Sequence, residues 1–312
     1  MLLSRVAERA YWAGRYLERV QSTARLISIY DKLLFDLPRS IKLSWYNLVS
    51  INKLDHAFNE HYSKPDERNV MRFLINDRNN PSSMVSSIQA ARENVRTTRD
   101  VFPSDVWYLI NELNHYIIDN ANQGITRKQR HDFLNTVIRG CQQILGVLHS
   151  DMPHDESWCF FRLGKNLERA DTTSRNIDAA VAAILEIEDM DEAINSRQII
   201  WLNLLRSLNA DHYFRRAVRA SINGADVVDY LICNKDFPKS VTRCLSNLVH
   251  TCSLLPKSDD ITQELTDIQN SITAEYHSDL KGQPLRDYVN ELQLRIINMH
   301  QKIYANWFPA WD

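Results

Sequence analysis

Two stretches of this sequence, YWAGRYLERVQSTARLI at residues 11–27 and FRLGKNLERADTTSRNI at residues 161–177, follow one pattern. They coincide at seven of seventeen positions, where a chance alignment gives about one. Both place a glycine three residues before Leu-Glu-Arg. A match of this quality predicts an internal duplication, with a Glu-Arg motif at the same place in each copy.

Both stretches are predicted to be long helices, because apolar residues recur in steps of three and four, which is the period of one helix face. In the first helix these positions are Leu3, Val6, Ala10, Ala13, Leu17, Val20, Ala24 and Ile27. In the second they are Phe160, Leu163, Leu167, Ala170, Ser174, Ile177, Val181 and Ile184. The first helix is expected to end near Leu37-Pro38, since proline disfavours helix in the residue before it.

A second pair of stretches extends the repeat. VMRFLINDRNNPSSM at residues 70–84 matches VVDYLICNKDFPKSV at residues 227–241, and Pro81 and Pro238 are each predicted to open a helix at its first turn. The sequence therefore predicts an all-α fold: two tandem copies of a five- to six-helix unit, at residues 1–150 and 151–312, packed as one helical bundle assembly with a pseudo-two-fold relation.

Composition limits the function classes. The 312 residues carry a formal charge of −2, which gives no support to a nucleic-acid partner or a membrane partner. No apolar run reaches the length of a transmembrane helix, and Arg5, Glu8 and Arg9 interrupt the N-terminal segment where a signal peptide would be apolar. Five cysteines without a CxxC pair indicate reduced thiols. We therefore expect a soluble, cytoplasmic protein.

A charged stripe accompanies the apolar stripe on each of the two helices. Its members are the candidate ligand-binding residues of a cleft between the repeats: Glu8, Arg15, Glu18, Arg19, Arg25, Glu168, Arg169, Asp171 and Arg175.

Two interpretations of this stripe are open. The charges can form salt bridges, either within a helix, as Glu18 with Arg15 and Asp171 with Arg175, or reciprocally between the helices, as Glu18 with Arg169 and Glu168 with Arg19. Alternatively they line a pocket in which arginine binds a carboxylate or phosphate and glutamate accepts from an amine or hydroxyl.

Gly14 and Gly164 occupy the same repeat position. Glycine inside a helix is about 1 kcal/mol less favourable than alanine. We expect a close approach of two helices to offset that loss.

Metal and cofactor signals are weak. His149, Asp151, His154, Asp155 and Glu156 cluster at loose spacing between the copies. Glu112 and His115 form a single ExxH, where a di-iron bundle needs two. Nucleotide-binding loops and hydrolase motifs are absent from the sequence. We predict no metal and no cofactor, and we assign no catalytic residue.

The string SRVAERAYWAGRYLERVQSTARL at residues 4–26 resembles the opening of the bacterial alpha-E family, a helical domain of unknown function named for its ER motif. LGKNLERADTTSR at residues 163–175 resembles the second signature of that family. The motif positions carried over are Arg5, Glu8, Trp12, Arg15, Glu18, Arg19, Arg25, Gly164, Glu168, Arg169, Asp171, Thr173 and Arg175. Gln21 departs from the family pattern, since other members often have an acidic residue there.

The resemblance also implies a cellular context. Family members are typically encoded beside a circularly permuted ATP-grasp ligase and a transglutaminase-like protein, and some are fused to the ligase. It therefore implies an accessory protein of a peptide- or amide-bond-forming system, which binds the ligase and an amino-acid or peptide ligand through the Glu/Arg cleft. The alternatives are a stand-alone enzyme that uses Glu18 and Glu168 for acid–base chemistry, and a purely structural scaffold.

Overall fold

The computed structural model describes residues 2–38, 41, 43–187, 193–219 and 221–308, and all regular secondary structure in them is helical. The prediction of an all-α fold is confirmed. The helices are α1 (Ser4–Asp36), α2 (Asn47–Ile51), α3 (Asp55–His61), α4 (Glu67–Ile75), α5 (Met84–Thr97), α6 (Ser104–Ile125), α7 (Arg127–Asp151), α8 (Glu156–Leu185), α9 (Ala193–Ser207), α10 (Asp211–Val218), α11 (Gly224–Cys233), α12 (Val241–Cys252), α13 (Asp259–Glu275) and α14 (Gly282–Trp307). None of these helices is both long enough and apolar enough to cross a membrane.

The two longest helices, α1 and α8, form the centre of the molecule and pack along each other. Helices α5 and α7 pack against α1, and α12 and α14 pack against α8. The two halves also cross over, because α9 contacts α1 and α2 contacts α8. The first Glu-Arg motif lies on α1 and the second on α8, so both motifs are at the centre of the molecule.

The predicted apolar stripes form the core. From Ala10 to Ile27, the stripe residues of α1 are fully buried. On α8, Phe160 through Val181 are buried in the same register. Leu3 is 75% exposed, because it precedes the first turn of α1, and Val6 and Ile184 near the ends of the two stripes are half-buried. Helix α1 ends at Asp36, where the sequence predicted its end.

The backbones of α1 and α8 touch at the paired glycines. A Cβ atom built on Gly14 would lie 2.3 Å from the carbonyl oxygen of Phe161, and one built on Gly164 would lie 1.9 Å from the carbonyl oxygen of Tyr11. Both distances are far below van der Waals contact. The predicted close approach is confirmed, and it sets the spacing of the central pair.

Two expectations were wrong in detail. Seven described helices precede Met152 and seven follow it, rather than five or six, because short helices such as α2 and α3 carry no visible period. Pro81 and Pro238 lie before helices α5 and α12 rather than in their first turns. The N-caps are Ser83 and Ser240, whose hydroxyl oxygens accept from backbone N–H groups three residues further on.

We expect Gly164→Ala and Gly14→Ala each to lower the free energy of unfolding by at least about 2 kcal/mol, because rigid backbone faces the added methyl group. Gly146→Ala is the matched control, since nothing lies within 4 Å of its Cβ position in α7. That change should stabilise the protein by up to about 1 kcal/mol through helix propensity. Urea unfolding measures all three, and equal effects at the three sites would contradict the backbone contact.

Candidate functional site

The Glu-Arg motifs of α1 and α8 bind each other reciprocally. Arg169 donates to both carboxylate oxygens of Glu18, from Nε at 2.9 Å and Nη2 at 2.7 Å. Arg19 donates in the same bidentate manner to Glu168, from Nε at 2.6 Å and Nη2 at 3.0 Å, and Arg15 Nε adds a bond of 2.7 Å. We call these five residues the Glu/Arg seam. Bidentate guanidinium–carboxylate pairs are the strongest ion-pair geometry that side chains offer.

Both glutamates are held ionised inside the protein. Glu18 is 0% exposed and Glu168 is 5% exposed. Burial by itself raises the pKa of a carboxyl group, but the arginines outweigh it and lower the pKa of both glutamates. A carboxylate in this state cannot serve as a general acid near neutral pH.

Of the two salt bridges that could form within a helix, one is present and the other is not. Asp171 and Arg175 pair within α8 at 2.8 Å, as expected for residues four apart. The predicted pair of Glu18 with Arg15 is wrong, because Arg15 reaches across to Glu168 instead. Burial is the main influence on Asp171 and raises the pKa of its carboxyl group despite Arg175.

Glu8 and Arg25 lie outside the seam. Glu8 accepts a hydrogen bond of 3.0 Å from the Tyr304 hydroxyl on α14, so its partner belongs to the end of the chain. The Nε atom of Arg25 is buried and has no hydrogen-bond partner among the described residues, and burial lowers the pKa of the Arg25 guanidinium. The seven other candidate residues lie together along the contact between α1 and α8.

The seam also extends to α14, which the sequence did not indicate. Arg15 Nη1 donates to the Tyr11 hydroxyl at 3.3 Å, and Tyr11 is hydrogen-bonded to His300 Nδ1 at 2.8 Å. Burial and the nearby Arg15 lower the pKa of His300 to about 4. His300 is therefore neutral at physiological pH, and no periodic signal in its own helix marks it.

Two clefts open on either side of the seam. The first, which we call the mixed cleft, has a volume of about 280 Å³ and is lined by Arg19, Glu168, Asp171 and Arg175 with residues 51–54. The second, which we call the basic cleft, has a volume of about 490 Å³. Its charged lining residues are Arg25, Arg169, Arg216, Lys239 and Asp236.

Lys239 is the functional candidate that sequence reasoning missed. It follows Pro238 in the loop before α12, so it belongs to neither Glu-Arg helix. Burial, together with Arg169 and Arg25 and against the opposing effect of Glu18, lowers the pKa of Lys239 to about 8. The amine has no salt-bridge partner among the residues that the structure describes. Lys165 on α8 has its pKa lowered to about 8 in the same surroundings.

The residues between the two halves of the chain have structural contacts. Asp155 caps α8 by accepting from the N–H groups of Ser157 and Trp158, and His154 stacks on Trp158 at 4.8 Å. Glu156 accepts from the backbone N–H of Leu2. Within the described ranges, no group of three or more His, Cys, Asp or Glu side chains could hold a metal ion. The five cysteines are all free thiols, and four of them are buried.

Comparison with known proteins identifies one family. The profile of Alpha-E, described as a predicted alpha-helical domain with a conserved ER motif, matches residues 2–308. An uncharacterised protein of Mycobacterium bovis and two of Mycobacterium tuberculosis are each 21% identical over 272 residues, which cover 81% of this chain. The match covers 30% of the length of each of these relatives. No solved structure shows a significant match.

We expect Glu18→Gln to lower the free energy of unfolding by roughly 3–5 kcal/mol, because it leaves the guanidinium of Arg169, whose side chain is only 14% exposed, without its counter-charge. Glu93→Gln is the matched control, since Glu93 pairs with Arg96 on the exposed surface of α5, and it should leave the unfolding midpoint unchanged. Chemical denaturation of both variants measures the difference. A Glu18→Gln variant as stable as the control would contradict a buried ion pair.

The lowered pKa of Glu168 predicts a pH dependence. A carboxyl group whose pKa is lower in the folded state stabilises the protein above its unfolded pKa of about 4.3, and this stabilisation is lost as the pH falls. Glutamine mimics the protonated form, so the stability difference between wild type and Glu168→Gln should shrink below about pH 4. Thermal unfolding between neutral and acid pH measures it. A difference that stays constant into acid would refute the assignment.

Proposed function

This chain belongs to the Alpha-E family, and from that premise we propose that it is a non-catalytic companion protein of an amide-bond-forming system. It binds a circularly permuted ATP-grasp ligase, and it binds an anionic amino-acid or peptide group in the basic cleft. A transglutaminase-like protein is the further partner that the family context implies. The ligase supplies the nucleotide chemistry, for which this sequence has no motif.

The unbalanced charge of the basic cleft is the observation that carries the proposal. Both carboxylate oxygens of Glu18 accept hydrogen bonds from Arg169. Arg25, Arg216 and Lys239 then face one lining carboxylate, that of Asp236. Arg216 is exposed, whereas Arg25 and Lys239 are half-buried and form no salt bridge among the described residues. Half-buried cations without an ion-pair partner are unfavourable, and an arriving carboxylate or phosphate removes that penalty. A purely structural seam would not need these cations.

The state of the two seam glutamates argues against a stand-alone enzyme that uses them as general acids. Acid–base catalysis requires a group whose pKa lies near the working pH. Glu18 and Glu168 have lowered pKa values and accept two or more guanidinium hydrogen bonds each. Neither glutamate therefore has a proton to give near neutral pH, which supports a binding role rather than general acid catalysis for the two glutamates.

The relatives support a companion role in a second way. Their matching region occupies less than a third of each chain. A region like this one therefore exists in covalent attachment to much longer sequence. A domain that acts beside another domain can be encoded either attached to it or apart from it.

The tandem duplication forms part of the same proposal. Two copies, at residues 1–150 and 151–312, would pack about a pseudo-two-fold axis between α1 and α8. Gly14 faces Phe161 and Gly164 faces Tyr11, in each case the residue three before the other glycine, and this reciprocity supports the relation. The Glu18–Arg169 and Glu168–Arg19 pairs are reciprocal in the same way, as expected of an isologous contact between α1 and α8.

Affinity purification of the tagged protein from its native cell tests the partnership. We expect the ATP-grasp ligase to co-elute in stoichiometric amounts. Lys239→Met should lower the affinity of the purified chain for the ligase or its acidic substrate by about tenfold, since it removes one desolvated charge. Lys235→Met is the matched control, because Lys235 is exposed on the same loop and does not line the cleft.

The pH dependence separates Lys239 from the arginines of the basic cleft. Because the pKa of Lys239 is about 8 in the free protein, anion binding should weaken as the pH rises through that value. Lys239→Met should diminish this step, and any part that remains belongs to Lys165, whose pKa is also about 8. Titration calorimetry at several pH values measures it. A protein that elutes alone, or variants that all bind alike, would overturn the proposal.

A further inference from the structure

The mixed cleft and the basic cleft are lined by corresponding positions of the two sequence repeats. Residues of α1 match residues 150 positions further on in α8, and the residues after these helices match at 156 or 157, as Pro81 does with Pro238. The two clefts have no lining residue in common. Six residues of the mixed cleft nevertheless have their counterparts in the basic cleft: Arg19 with Arg169, Asn52 with Leu208, Lys53 with Asn209, Ser82 with Lys239, Asp171 with Gln21 and Arg175 with Arg25.

The backbone at the two clefts supports this correspondence. Lys53 in the mixed cleft and Asn209 in the basic cleft both have left-handed backbone, with φ values of 54° and 58°. Each donates its N–H at 2.9 Å to the carbonyl oxygen three residues earlier, and the residue after each donates to the carbonyl oxygen five residues earlier. Left-handed backbone is uncommon outside glycine. The agreement therefore indicates that the same turn forms part of both clefts.

The two clefts differ in the state of their matching arginines, Arg175 and Arg25. In the mixed cleft, Arg175 donates from Nε and Nη2 to the two carboxylate oxygens of Asp171, at 3.0 and 2.8 Å. Arg175 Nη1 donates to the carbonyl oxygen of Asn52 at 3.0 Å. All three guanidinium nitrogens of Arg175 are therefore held by the protein itself.

In the basic cleft, the position of Asp171 is occupied by Gln21, which is as buried as its counterpart but carries no charge. Arg25 lies four residues further along α1, lines the cleft and forms no salt bridge with any described residue. The same cleft has Lys239 where the mixed cleft has Ser82. One framework therefore leaves two cations unpaired in the basic cleft and pairs the matching arginine in the mixed cleft.

We infer that the two clefts are two copies of one anion site, and that the residue four positions before the cleft arginine decides which copy binds. Gln21 leaves Arg25 available to a carboxylate or phosphate group, whereas Asp171 occupies Arg175. A guanidinium binds such an anion bidentately only through nitrogens that no other carboxylate holds. The inference rests on the proposed anion binding in the basic cleft. It adds the residue that determines specificity there and a second, blocked site in the mixed cleft.

Titration calorimetry of the full chain with L-glutamate and with inorganic phosphate tests the role of Gln21, and the tighter of the two probes identifies the anion class. Gln21→Asp should weaken binding of that probe by at least about tenfold, since a carboxylate four residues before Arg25 takes up its charge. Gln143→Asp is the matched control. It makes the same change on α7, where Gln143 is exposed and does not line the cleft, and should leave binding unchanged.

The converse change should open the blocked site. Asp171→Asn removes the counter-charge of Arg175 beside Lys53, which is exposed and forms no salt bridge with any described residue. We expect this variant to bind two anions per chain where wild type binds one. The second site should disappear when Lys53→Met is added. In the double variant Gln21→Asp/Asp171→Asn, binding should depend on Lys53 and no longer on Lys239.

Thermal unfolding of the ligand-free variants separates lost binding from lost folding. Loss of binding supports the inference if Gln21→Asp unfolds within about 4 °C of wild type; if it does not fold, the second site of Asp171→Asn decides. If wild type binds and Gln21→Asp binds equally well, or if Asp171→Asn gains no site, the inference is overturned and the proposed function stands. If wild type binds neither probe, the basic cleft is not an anion site and both are overturned.

Discussion

Two helices whose backbones touch exclude water from the side chains that flank the contact. Gly14 and Gly164 create such a contact between α1 and α8, and the Glu-Arg motifs begin one turn further along each helix. A charge in that position must find an opposite charge, since its desolvation is otherwise prohibitive. The glutamate of each helix finds the arginine of the other. Contact and ion pairs together fix the register of the two central helices, around which the other helices pack.

The ion pairs give the Glu-Arg motif a structural role, although its residue types resemble those of a catalytic centre. A pair of glutamates with several arginines in a helical protein is a typical composition of a catalytic centre. Here these charges form salt bridges with one another. The seam is flanked by two clefts that differ in charge. One side of the seam is a mixed cleft with paired charges, and the other is a basic cleft in which Arg25 and Lys239 form no salt bridge with any described residue. The recognition that we propose therefore depends on residues beside the motif.

The central helix pair could be predicted because its evidence is periodic and repeated. The three–four apolar step placed α1 and α8, and the matched glycines predicted their contact. The sequence could not choose between Arg15 and Arg169 as the partner of Glu18, because helical spacing permits both and only the crossing of the helices decides. Lys239 escaped prediction since it lies on a loop that folds back over α8.

The packing of α1 against α8 depends most directly on the pairing of Glu18 with Arg169, and a double-mutant cycle measures this pairing. The free energies of unfolding of wild type, Glu18→Gln, Arg169→Gln and the double variant are compared in the same denaturant. We predict that the double variant is more stable than the sum of the single effects implies, by about 1–3 kcal/mol, because neither single variant leaves its partner satisfied. Single effects that add to within about 0.5 kcal/mol would contradict the seam as the interaction that holds α1 against α8.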